Sequence, residues 1–163
     1  GKYKLTKNLI NKIMKKVLSS LDKEDKILLS TSRRTSLDAI KYLDKEFAYN
    51  EKILQIYHPN TSKKNNPIVN FMLECKEIVV TGDSMSMVSE ACSINKPVRI
   101  FYNTEICSPK QLYYCQKLIK EGYAFNLKNL NKEKKNIKIL ETSKNISDKI
   151  NKLFLKNYGK NKN

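Results

Sequence analysis

Four short, almost wholly apolar runs constrain this chain most: KILLST at Lys26–Thr31, ILQIY at Ile53–Tyr57, IVVT at Ile78–Thr81 and VRIFY at Val98–Tyr102. A strand with one wet face alternates apolar and polar residues, whereas a strand covered on both faces reads as a near-continuous apolar run. Between the runs the apolar residues recur at helical spacing. Leu5, Leu9, Ile13 and Val17, widened by Ile10, Met14, Leu18 and Leu21, predict a helix over Leu5–Leu21 with lysines on its far face. Thr35-Ser36 can cap a second helix that turns Leu37, Ile40 and Leu43 inward, and Pro67 can start a third with Ile68, Met72 and Cys75 on its apolar side. Helices follow over Ser84–Ile94 and over Lys110–Glu121, the latter closed by Gly122. Strands alternating with helices predict an α/β chain: a Rossmann-like three-layer α/β/α arrangement with a mainly parallel sheet. Four good strands are few for a doubly wound domain. No strand precedes the first helix, so a strand and its glycine turn are expected upstream of Gly1.

The 163 residues suit one domain, and a 40% hydrophobic content supplies its core. The domain is expected over residues 1–128, with a charged linker over 129–142, a helix packed on the same domain over 143–158 and a disordered tail over 159–163. Tyr123–Leu127 can add a short extended piece, and Ile137–Leu140 fits no pattern. No apolar run approaches the ~20 residues that span a bilayer. The opening GKYKLTKNL lacks a signal-peptide pattern, so a cytoplasmic protein is the expectation.

The formal net charge is +16. Such a charge can serve nucleic acid, an anionic membrane surface or a phosphorylated ligand. It can equally come from the Lys-, Asn- and Ile-rich usage of an AT-rich genome, and that reading is preferred because arginine occurs only at Arg33, Arg34 and Arg99. Nucleic-acid surfaces interleave arginine and aromatics. Nucleic acid is therefore not the expected partner, and a weak attraction to anionic membrane surfaces follows from the charge alone. Cys75, Cys92, Cys107 and Cys115 form no C-x-x-C pair, and His58 lies apart from them, so neither a metal site nor a disulfide is expected.

The chemistry concentrates in Val80–Val98, VTGDSMSMVSEACSINKPV, a strand–loop–helix–strand unit with small polar residues at the helix mouth. A helix start has unpaired N–H groups and partial positive charge, which suit phosphate. Gly82, Ser84 and Ser86 are the candidate phosphate-loop residues, and Glu90, inside the helix, is placed to accept from a ribose diol. The bland alternative is an ordinary turn capped by Asp83 or Ser84. Ser32, Arg33, Arg34 and Thr35 follow the first strand. Planar guanidinium groups there suit forked contacts with phosphate oxygens, against the alternatives of a solvated turn or an ion pair to Asp38. In a parallel sheet both loops open on the strands' C-terminal edge, the usual ligand side. His58, in HPN on that same edge, is read as a turn residue ahead of a general base, and Met85 and Met87 as packing residues.

NPIVNFMLECKEIVVTGDSMSMVSEA and KPV resemble the nucleotide-binding half of a two-Rossmann (GT-B) glycosyltransferase. Together with ILLSTSRRT, KPVRIF and KQLYYCQKLIKEGYA, they resemble the mitochondrial-fission ELM (elongated mitochondria) family over about Gly1–Phe125. The resemblance implies the C-terminal half of a GT-B-like protein that binds a nucleoside diphosphate or nucleotide sugar through the diphosphate, with Glu90 on the ribose. Lys110 and Gln111 would lie where the donor sugar is reached. It also implies a missing N-terminal Rossmann domain that binds the acceptor, Gly1 as the last residue of a glycine-rich turn, and a chain inactive alone with no catalytic residue assigned. Ser84 stands where many sugar transferases have glycine. The rival functional classes are an inactive scaffold that keeps the fold and a basic nucleic-acid-binding domain.

Overall fold

The computed structural model of the protein describes residues 3–62, 65–129 and 138–141. Its elements run α1 (Lys7–Leu18), β1 (Ile27–Ser30), α2 (Leu37–Phe47), β2 (Ile53–Tyr57), α3 (Ile68–Glu74), β3 (Ile78–Thr81), α4 (Met85–Cys92), β4 (Val98–Phe101), α5 (Pro109–Lys120) and β5 (Phe125–Asn126). The expected helix over 143–158 and tail over 159–163 lie outside the described residues. The expected linker over 129–142 is described only at Asn129 and at 138–141, where Leu140 N–H donates to Cys92 O at 2.9 Å.

Local chemistry sets the element ends. Thr6, Ser36, Ser84 and Ser108 each turn a side-chain oxygen onto a first-turn N–H, capping α1, α2, α4 and α5. Helix α1 is shorter than its apolar stripe because the Ser19 and Ser20 hydroxyls donate to the Lys16 and Val17 carbonyls and close it before Leu21. Gly122, at φ +86°, ends α5 in the left-handed conformation that glycine adopts without strain. One expectation about faces fails. Leu37, the first residue of α2, stays 58% exposed, and Ile40, Leu43 and Phe47 make the inward face with Ala39. In α3 the expected face holds: Met72 is buried and Ile68 and Cys75 pack against the same core, Phe71 is buried as well, and Val69 and Leu73 face out.

All strand pairs are parallel, but the strands form two sheets, β1–β2 and β3–β4–β5. The sheets stand side by side with β1 and β3 as facing edges. At the strands' starts Lys76 Nζ reaches Asp25 Oδ1 at 3.2 Å, and past their ends Arg34 Nη2 reaches Ser84 Oγ at 3.4 Å.

Helices cover both faces. Val98 and Ile100 of β4 point into a core with Val88, Ala91 and Cys92 of α4 and Cys115 and Leu118 of α5. Phe101 points the other way, onto Leu9 of α1, Ile106 and Leu127. The neighbouring positions of α1, Ile10 and Met14, pack on Ala39, Leu43 and Phe47 of α2 and on Ile27 and Leu29 of β1. Helix α1 thus spans both sheets. Period-2 alternation along β4 and the helical stripe of α1 build a three-layer α/β/α arrangement.

Candidate functional site

The loops after β1 and β3 open at the same edge and meet. The Ser32–Thr35 turn is held from within: Thr35 Oγ1 accepts from Ser32 N–H at 3.0 Å, and Asn60 Nδ2 donates to Arg33 O at 3.0 Å. The Arg33 and Arg34 side chains are exposed, and neither forms an ion pair with Asp38 among the described residues. Arg34 reaches across to Ser84. Ser84 is buried, caps α4 by accepting from Met87 N–H at 3.4 Å, and lies 3.2 Å from Ser86 Oγ. These contacts sit at the long end of the hydrogen-bond range.

On α4, Ser86 and Glu90 are four residues apart, hence on one face, and both are exposed. The helical rise puts Glu90 about 6 Å along the axis from Ser86. Asp83 is not the cap. Its carbonyl accepts from Gln111 Nε2, and Gln111 Oε1 accepts from Ser108 N–H at 2.7 Å in the capping box of α5. Both ends of the Gln111 amide are therefore used to fasten α5 to the Gly82 loop, and Lys110 beside it is exposed.

Gly82 is required by close approach. A Cβ there would lie 2.7 Å from Cys115 Sγ, 2.9 Å from Tyr102 Cβ and 3.2 Å from Cys107 Sγ. The two thiols beneath it influence each other. Hydrogen bonding from Cys115 holds Cys107 below its ordinary value, and the same bond, with burial, drives Cys115 well above it. Burial pushes Cys92 up to about 11. All four cysteines are free thiols.

Two polar clusters escape a sequence reading. His58 opens the turn expected of it, its carbonyl accepting from Thr61 and Ser62 N–H at 3.2 and 2.9 Å, but its ring is buried. Its Nδ1 lies 2.9 Å from Thr31 Oγ1 and its Nε2 2.9 Å from Asp44 Oδ1, so it ties the end of β1 to α2. Arg99, 3% exposed on β4, pairs with Glu77, donates to Asn129 O at 2.8 Å and stacks 5.8 Å from the Phe125 ring centre. The signal available for Arg99 was a lone charge inside an apolar strand. For His58 there was none, because its partners are 14 and 27 residues away.

Parallel strands, helices on both faces and two polar loops meeting at the strand C-terminal edge define a Rossmann-like α/β protein. The family profile described as "Mitochondrial fission ELM1" matches residues 1–154, and the chain belongs to this family. It is similar to an uncharacterised protein of Rickettsia prowazekii (strain Madrid E), 32% identical over 125 residues, covering 75% of this chain and 34% of the relative. The chain thus spans about a third of that relative's length. No solved structure matches it. Among the described residues no helix is long and apolar enough to cross a membrane.

Proposed function

We propose that the crevice between the Ser32–Thr35 and Gly82–Ser86 loops binds the diphosphate of a nucleoside diphosphate or nucleotide sugar. The chain would then be the donor-binding half of a glycosyltransferase-like member of its family. The observation that carries this reading is the Arg34–Ser84 contact, which brings a guanidinium to the mouth of a helix. A diphosphate there would meet the α4 first-turn N–H groups, the Ser84 and Ser86 hydroxyls and the Arg33–Arg34 pair. It would exchange the long Arg34–Ser84 bond for a charge-assisted one. Glu90, about 6 Å further along the exposed face of α4, is at a suitable reach for the ribose diol. Lys110, next to the fastened Gln111, is the side chain of that pair oriented to solvent and the better candidate for the donor sugar. The acceptor and any catalytic base would come from the remainder of a longer protein.

Calorimetry with uridine and guanosine diphosphates tests this. Binding in the micromolar range is expected, weakened roughly 10- to 100-fold by Arg34→Ala, as fits the loss of a bond to a charged group, and also weakened by Glu90→Ala. No heat with either nucleotide, in this chain and in a longer two-domain protein, would dispose of the proposal.

A further inference from the structure

In a parallel strand, the N–H and C=O of one residue point to one side and those of the next residue to the other. Ile27 and Thr31 donate to Lys52 O and Tyr57 O of the β2 segment, at 2.7 and 3.0 Å. Ile78 and Gly82 donate to Pro97 O and Phe101 O of the β4 segment, both at 2.8 Å. Alternation therefore aims the backbone groups of Leu28 and Ser30 on β1, and of Val79 and Thr81 on β3, into the space between the two sheets. Among the described residues no strand occupies that space. Burial follows the same pattern. The four residues of β4, paired on both sides, are all buried, none of β1 is, and Val79 in the middle of an apolar run is 37% exposed.

Long basic side chains cross the space at both ends, as a gap one strand wide requires. Two adjacent strand spacings make about 9.5 Å, and the side chains that cross it, Lys76 to Asp25 and Arg34 to Ser84, are the two longest basic types. The two crossings match start to start and end to end, so β1 and β3 run in the same direction. Helix α1 roofs the space on one face, since Leu9 packs on the β4 side and Ile10 and Met14 on the β1 side. Residues 3–6 enter α1 from the C-terminal edge: Lys4 N–H donates to Glu105 O, in the loop after β4, at 3.3 Å. A parallel strand that turned directly into α1 would end at that place.

We propose that the space between β1 and β3 seats one further parallel strand, contributed by polypeptide immediately upstream of Gly1. It joins the two sheets into one of order β2–β1–strand–β3–β4–β5. The chain then steps outward from this strand first to one side and then to the other, which is the doubly wound order, and the phosphate crevice lies at the switch point. The strand's final turn passes between Arg34 and Ser84 and forms the floor of that crevice.

Residue-resolved amide hydrogen exchange tests the strand without any nucleotide, so its outcome is separate from that of the binding proposal. The chain is compared with a version extended at Gly1 by about a dozen residues, enough for a strand and a turn. These are taken from the Rickettsia protein just upstream of the segment that is similar to this chain. In the extended protein the Leu28, Ser30, Val79 and Thr81 amides should slow by at least about 100-fold, reaching the protection of core amides. A proline in the middle of the extension should undo this. Unchanged exchange at all four amides on extension overturns the proposal. So does protection already present in the unextended chain, whether it depends on concentration (pairing with a second copy) or not (filling by residues after 141).

Discussion

Replacing Gly82 with alanine puts a methyl group where the β3–α4 loop crosses the end of β4 and the middle of α5. Carbon atoms in ordinary contact stay about 3.5–4.0 Å apart. The added carbon would meet Cys115 Sγ at 2.7 Å and Tyr102 Cβ at 2.9 Å, an overlap of roughly 0.8–1.3 Å with the first and about 0.6–1.1 Å with the second. Neither neighbour yields cheaply. Tyr102 Cβ is fixed to the backbone just past β4, and Cys115 is fully buried on α5. The strain must move α5 away from the strands, at a cost of about 1–3 kcal/mol for overpacking a tight core. For a chain of this length that lowers Tm by about 2–12 °C. The displacement also pulls on Gln111, which holds the Asp83 carbonyl, so the mouth of α4 should lose definition. A double-mutant cycle followed by urea denaturation isolates the cause. In a Cys115→Ala background the sulfur clash is gone and the Tyr102 clash remains, so Gly82→Ala should cost about half as much, a coupling energy within the range seen for residues in contact. A Gly82→Ala protein as stable as the parent, or a double mutant whose costs simply add, would refute the close-approach account of this glycine.

Two further outcomes follow from the buried and bridging charges. Arg99→Met should cost about 3–5 kcal/mol in urea denaturation, because it takes a charged partner from Glu77, and adding Glu77→Leu should recover much of it; a single-variant cost below about 1 kcal/mol would contradict this reading. Asp25 accepts from Asp22 N–H and from Lys76, in that order of effect, which holds its carboxyl below the ordinary 3.8. Its contribution is therefore present above about pH 4 and lost as pH falls through the lowered value. The stability difference between the parent and Asp25→Asn should accordingly shrink from pH 7 to pH 3, and a difference independent of pH would count against it.

Ile53–Tyr57 and Ile78–Thr81 could be bounded to the residue from sequence because a proline turn or a charged pair abuts each apolar run. Ser36 and Ser84 were visible as candidate caps for the same reason, since a cap is local chemistry within three residues, whereas Ser108 was not read as one. Faces were harder. Five of the seven residues of α3 are apolar, so periodicity offered several stripes; the Ile68, Met72 and Cys75 side does pack on the core, and the burial of Phe71 beside it was the part that periodicity did not show. Leu37 continued an apolar stripe but is the first residue of α2 and stays 58% exposed among the described residues. The two candidate loops were each legible from residue types, and the parallel-sheet rule put them on one edge. Their meeting was not legible, since Arg34 and Ser84 are 50 residues apart. The division into two sheets was hidden for a related reason: apolar runs declare strands but do not name their neighbours.

That division bears on how the candidate site is held. Arg34 belongs to one half-sheet and Ser84 to the other, so the distance between them is set by whatever fixes β1 against β3. In the described residues this is done by the roof of α1, the Asp25–Lys76 pair and the Arg34–Ser84 bond itself. The pair is largely exposed on its lysine side, with Lys76 89% accessible, and an exposed ion pair contributes at most about 1 kcal/mol. A parallel strand between β1 and β3 would replace these side-chain ties with a backbone ladder on both edges. Arg34 would then be held at a fixed reach from the mouth of α4 by the sheet, and its guanidinium would no longer be needed to bridge the halves. On the proposed function, the residue that would grip a phosphate is thus also one that spans the seam, and closing the seam by other means would release it for a ligand.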